Sequence, residues 1–224
     1  MKRDPHSSQR HDLNQKYHGH DSEITGLLGE CGVRQAERVR ERVLDALDGR
    51  PFKLRFSAIL DLNRCAIDGL NAHAGNFRPA GIGINESKHE PPGAHLVPEL
   101  VEELCDYVND RWDEKSAIHL SSFIMWRLNW IHPFADGNGR TSRAVAYLVL
   151  CVKQGMLLPG HKTIPEQIVD RRKPYYEALE KADERYKETG KFTEDIVAEM
   201  ESLMGTMLAV QLKSAFDAAV GNER

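Results

Sequence analysis

Residues 131–143 read IHPFADGNGRTSR, and an apolar segment stands on either side of them. Before them, residues 115–131 carry Ile118, Phe123, Ile124, Trp126, Leu128 and Trp130. On a helix these side chains point in several directions, so the segment reads as a central, buried helix. After them, residues 140–156 are dense in Ala, Val and Leu and read the same way. The quoted stretch is therefore the loop between two core helices. A mostly α fold, a helical bundle around this central helix-loop-helix, is expected.

The loop itself is rich in chemistry. Gly137, Asn138 and Gly139 precede the second helix, where glycines let the backbone approach a ligand and the unpaired N–H groups of the helix start point toward it. Such a place binds phosphate. Arg140 and Arg143 lie nearly one turn apart, so both guanidinium groups reach one anion from the same side. Two arginines suit a di- or triphosphate better than a lone phosphate. Asp136 sits directly before the glycines, and a carboxylate beside a polyphosphate is repelled unless a divalent cation lies between them, Mg²⁺ being the natural bridge. His132, at the end of the first helix, has an ordinary pKa of about 6.5 and suits general-base work on an incoming hydroxyl. Together these parts describe transfer from a nucleoside polyphosphate to an alcohol. Taken singly each has a structural reading, as a turn, an aspartate cap or solvated arginines. The combination favours chemistry. No GxxxxGK[ST] loop is present, Gly81 and Gly83 do not continue into GxGxxG, and the region of Asp136 lacks calcium-loop spacing.

The rest of the chain fits a cytoplasmic globular protein. Of 224 residues, 41% are hydrophobic and 29% charged, enough for a proper core. The net charge of −4 gives no basic bias toward nucleic acid or anionic membrane. Cys31, Cys65, Cys105 and Cys151 form no CxxC pair and read as reduced packing residues. No stretch approaches the roughly 18 apolar residues of a membrane span, and residues 1–20, rich in histidine, lack a signal peptide's apolar run. They read as a disordered polar tail, followed over 21–50 by an N-terminal helical appendage of one or two helices broken near residues 29–32. Residues 52–74 have helical spacing, as do 97–112, with Pro98 in the first turn. Between them Gly81 and Gly83 alternate with Ile82 and Ile84 ahead of Pro91 and Pro92, which suits a short β-hairpin. Residues 164–189 and 192–219 read as peripheral helices.

HPFADGNGRTSR resembles the signature of Fic domains, HPFx[DE]GNGRxxR, at every specified position. The likeness extends upstream through NFRPAGIGINESKHEPPGAHLVPEL, similar to the family's target-docking flap and the helix after it, and downstream through IPEQIVDRRKPYYEALEKAD. It places a Fic core over residues 51–189, with 190–224 as C-terminal helices packed on it. The resemblance implies transfer of AMP from ATP to a Ser, Thr or Tyr hydroxyl of a target protein, releasing pyrophosphate. His132 would be the base and Asp136 the Mg²⁺ ligand. Gly137, Asn138 and Gly139 would form the anion hole for the α-phosphate, Arg140 and Arg143 would hold the β- and γ-phosphates, and Phe134 would anchor the loop. The flap, Ile82, Gly83, Ile84, Asn85, Glu86, Ser87, Lys88, His89 and Glu90, would pair with the target backbone to backbone.

Many Fic proteins restrain themselves with an inhibitory helix bearing [ST]xxxE[GN]. In this chain no Ser or Thr has Glu at the fourth following position, and Glu30 follows Thr25 by five. A small antitoxin carrying the glutamate, a divergent helix or no restraint are the choices, and the first is favoured because an unrestrained transferase is hazardous to its host. The Doc branch, which phosphorylates its target, has a lysine where Gly139 stands here, so the intact GNGR argues for a nucleotidyl group over phosphate or phosphocholine. UMP or GMP transfer and a noncatalytic binding module stay open, as do homo-oligomerisation and secretion as an effector.

Overall fold

The computed structural model describes the backbone of residues 6–49, 51–81 and 89–221, with side chains from residue 26 onward. Among the described residues the chain forms α1 (His6–Leu47), α2 (Phe56–Ile67), α3 (Val97–Asp110), α4 (Ala117–Ile131), α5 (Asn138–Gln154), α6 (Ile164–Asp170), α7 (Arg172–Thr189) and α8 (Ala198–Ala219), and no strand. Helix α4 is the axis. Ser116 caps it, its hydroxyl accepting from the His119 N–H at 3.0 Å, and twelve of its fifteen residues are buried. Each large apolar side chain so buried contributes about 1.5–3 kcal/mol. Helix α5 packs most extensively against α4, α3 and α8 cover other faces of it, and α1 lies across α2 and α5.

Two helices differ from their sequence reading. Helix α1 passes through Gly29 and Gly32 without a break and begins at His6, inside the stretch read as a disordered tail. A glycine costs a helix only about 1 kcal/mol, and just beyond the two glycines α1 is pinned against α2 and the residue after it. Gln35 donates to the Leu62 carbonyl at 2.9 Å, Arg42 to Asp61 at 2.6 Å and Arg34 to Asp68 at 3.1 Å. Helix α2 covers only residues 56–67 of the expected 52–74. At its start Leu54 gives its N–H and carbonyl to the Asn109 side chain, at 2.8 and 2.9 Å, which holds residues 52–55 extended. At its end Asp68 is extended and Gly75 takes φ +71°, where a Cβ would lie 2.8 Å from Arg64.

Residues 164–189 are two helices because Arg171, at φ −133° and ψ 70°, turns the chain between α6 and α7. Helix α8 starts at Ala198 and is tied to the axis by a buried relay. His119 of α4 shares one ring nitrogen with Glu201 at 2.6 Å and the other with the Tyr107 hydroxyl at 2.9 Å. Beside it, fully buried Arg127 lies 4.2 Å from the Trp130 ring, 4.8 Å from Phe192 and 4.9 Å from Tyr186, and donates to Glu103 at 2.9 Å. All four cysteines are buried free thiols.

Candidate active site

Pro133 cannot continue α4, and the turn is made by His132, a non-glycine residue in the left-handed region at φ 50° and ψ 60°. Its N–H still caps the Leu128 carbonyl at 3.0 Å, and its own carbonyl accepts from Arg78 Nε at 2.6 Å. Two residues later Phe134 is driven into the core, 1% exposed. The side chain of Asn138 brackets it, accepting from the Phe134 N–H at 2.9 Å and donating to its carbonyl at 2.8 Å. The amide of Asn138 is thus turned away from solvent, and only its backbone faces a ligand.

Gly137 begins α5 at φ 77°, and a Cβ there would lie 2.8 Å from Ile67 and 3.1 Å from Asn63. Both the backbone angle and the space demand glycine. Asn63, buried in the middle of α2, donates to the Asp136 carbonyl at 3.0 Å and to Thr141 at 3.2 Å, while accepting from the Gly75 N–H at 3.0 Å. The glycine loop is therefore clamped from both sides by amides.

What it presents is positive charge and N–H groups around a cleft of about 380 Å³, lined also by Ile168, Arg172, Tyr175 and Tyr176. Arg140 is partly engaged, donating to the Ala66 carbonyl at 2.8 Å and standing 3.4 Å from Asp136. Arg143 has no carboxylate against it among the described residues. Burial chiefly, then Arg172 and Arg140, pull its pKa down, with Tyr175 and Tyr176 opposing. A half-buried guanidinium among other guanidiniums is resolved by an anion. Asp136 points to the mouth, half exposed, and accepts from the Gly137 N–H. At the other rim His132 has its pKa pulled to about 4, by burial first and then by the charges of Arg78 and His89. It is a neutral imidazole at neutral pH, able to accept a proton. No group of three or more His, Cys, Asp or Glu among the described residues could hold a metal by itself.

The profile of the Fic/DOC family matches residues 53–150, the span that builds this loop and its supports. The chain carries a Fic domain. It is 29% identical over 130 residues, 56% of its length, to "Protein adenylyltransferase Fic" of Drosophila willistoni. It is 29% identical over 118 residues, 52% of its length, to a probable protein adenylyltransferase of Aquifex aeolicus. It spans 24% and 33% of those two proteins. Its fold is similar to that of a Fic domain-containing signalling protein from Bacteroides thetaiotaomicron, at a TM-score of 0.69 and 21% identity, covering 86% of this chain and 72% of that one. The Fic fold, mostly helical around a helix-loop-helix, is as read from the sequence.

The Fic domain brings His132, Asp136, Gly137, Asn138, Gly139, Arg140 and Arg143 to one cleft. Of the expected flap, residues 82–88 lie outside the described residues. Gly81 is a turn residue at φ 86°, and His89 and Glu90 carry no strand. His89 rests on Trp130, its Nε2 2.7 Å from the Trp130 carbonyl. Sequence reasoning missed Asn63, Arg78, Asn129 and the α7 wall of Arg172, Tyr175 and Tyr176. Asn129 donates to Ser142 at 2.8 Å and to Tyr175 at 2.9 Å, tying that wall to the axis. A lone asparagine on an otherwise apolar helix face, as Asn63 is, was the available signal.

Proposed function

We propose that this chain is a protein adenylyltransferase, moving AMP from ATP to a Ser, Thr or Tyr hydroxyl of a target protein. The observation that carries the reading is Arg143: a partly buried guanidinium facing a cleft with no acid against it among the described residues, one turn from a helix start and across from a neutral His132. The names of the curated relatives support the same activity. In the reaction the target hydroxyl oxygen attacks the α-phosphorus and the bond to the oxygen bridging α and β phosphates breaks. The hydroxyl proton passes to His132 and pyrophosphate leaves. Backbone N–H groups at the start of α5 hold the α-phosphate, and Arg140 and Arg143 hold the charge that departs. Asp136, a single half-exposed carboxylate, would hold Mg²⁺ only together with the bound nucleotide, and the ion would supply screening of the polyphosphate charge. Restraint by a separate partner that brings a glutamate to Arg143 is part of the proposal, supported by the unpaired guanidinium and by Glu30 standing exposed on α1.

The test incubates the purified protein with Mg²⁺ and α-labelled ATP, alone and with cell lysate, beside His132→Ala. Removal of the base is expected to lower labelling by about 10²–10⁴-fold with nucleotide binding kept. Undiminished labelling by His132→Ala would sink the mechanism, and labelling from UTP or GTP but not ATP would reassign the nucleotide.

A further inference from the structure

Arg78 stands outside the motif and outside the lining of the cleft, yet it is only 5% exposed. Its Nε donates to the His132 carbonyl at 2.6 Å, its Nη2 donates to the Pro92 carbonyl, and its backbone N–H donates to the Pro133 carbonyl at 2.8 Å. Three pieces of chain meet at this one residue: the entry to the segment 79–91, the exit from it, and the left-handed turn that ends α4. No carboxylate shares the site among the described residues, and burial is the influence acting on the Arg78 charge. A buried cation without an acid is a poor packing residue, and an apolar side chain of that size would serve a purely structural role better. A guanidinium whose side chain and backbone both donate to carbonyls is a backbone clamp.

The clamped turn needs one. His132 occupies a φ that costs a non-glycine residue about 1–2 kcal/mol, and the direction of its imidazole follows from that φ. Relaxed to right-handed geometry, the same residue would swing its ring away from Asp136 and the helix start. On the far side of the segment, His89 gives a second attachment at the Trp130 carbonyl, 2.7 Å away.

We propose that Arg78 is a positioning residue for the reaction, holding His132 in its left-handed turn by using the two ends of segment 79–91 as an abutment. The proposal rests on His132 being the base in the reading above. The Arg78 charge also acts on the imidazole directly. With His89 it disfavours the protonated ring, Asp136 and a backbone hydrogen bond with Asn129 favour it, and burial outweighs them all. Position and charge can be separated. Arg78→Lys keeps the charge but not the fork, whereas Arg78→Gln keeps one amide donor and loses the charge.

The experiment follows the ring signals of His132 by NMR in the full-length protein labelled at histidine, with His132→Ala for assignment. Alongside, it measures labelling from Mg²⁺ and α-labelled ATP and the melting temperature. In the wild type a single sharp ring resonance with a midpoint far below 6.5 is expected. Arg78→Lys is expected to broaden or double that resonance at nearly the same midpoint, and to lower kcat about 10-fold with the KM for ATP unchanged. Arg78→Gln is expected to raise the midpoint by about one pH unit as well. A folded Arg78→Lys with one sharp ring signal and unchanged kcat overturns the proposal, as does a KM for ATP that rises in step with the fall in kcat. Absence of labelling by the wild type would remove the transferase reading, and the ring signal would still decide whether Arg78 holds His132.

Discussion

Two arginines on adjacent helices, Arg127 on α4 and Arg143 on α5, show how one bundle uses the same side chain in opposite ways. Arg127 is wholly buried, enclosed by Trp130, Tyr186 and Phe192 and paired with Glu103. The protein supplies it with a carboxylate and a cage of aromatic faces, while its Nε and Nη1 are buried without a hydrogen-bond partner among the described residues. Arg143 lines an open cleft, is surrounded by Arg140, Arg172 and two tyrosines, and has no acid against it among the described residues. What its charge requires must come from outside. An arginine given an acid and aromatic walls by its own fold serves stability, and one facing a cleft without an acid marks a place for a ligand.

Removing each side chain should expose that division. Arg127→Ala empties the aromatic cage and leaves Glu103 without its partner, so a loss of about 3 kcal/mol is expected, read as a lower urea midpoint with unchanged Mg-ATP affinity in the folded fraction. Loss of nucleotide affinity without loss of stability at Arg127 would erase the contrast. Arg143→Ala should do the reverse, weakening Mg-ATP binding about 10- to 100-fold by calorimetry, or about 1.4–2.8 kcal/mol. Its unfolding free energy should change by no more than about 0.5 kcal/mol, because no carboxylate among the described residues loses a partner. The smallest effect is one of pH. His132 has a folded pKa of about 4 against about 6.5 unfolded. The folded state therefore binds fewer protons than the unfolded state between those values, and the group's contribution to stability falls as pH drops from 6.5 toward 4. In the folded protein the base is already deprotonated well above its pKa of about 4, so labelling should be nearly flat from about pH 5.5 to 8. A half-maximal rate near 6.5 would mean an unburied imidazole.

The loop was legible in the sequence because its requirements are local. Two glycines, a helix start and two arginines one turn apart are neighbours in the chain, and so were recognisable in thirteen residues. Phe134 lies in the core, 1% exposed. What surrounds the loop was not legible. Asn63 is 73 residues from the Asp136 carbonyl it holds, and Arg78 is 54 residues from that of His132. Nothing in the spacing of either segment announces such a partner. The helix boundaries failed for the same reason: Asn109 of α3 straightens residues 52–55, and the bonds that fasten α1 beyond Gly32 come from residues 61–68. Periodicity records which face of a helix is apolar, whereas its ends are decided by groups elsewhere in the chain.

The bracketing of Phe134 by Asn138 also bears on how the protein ages. Asn138 is followed by Gly139, a pair that in a mobile chain deamidates readily, because the glycine nitrogen can reach the asparagine side-chain carbonyl carbon and close a five-membered imide. Here that amide is fastened at both its oxygen and its nitrogen to the Phe134 backbone, 6% exposed at the first turn of a helix. The imide cannot close without breaking both of these hydrogen bonds. The chemical lifetime of the glycine loop thereby depends on two hydrogen bonds to one backbone, and any change that breaks them would start a slow, irreversible clock at the site itself.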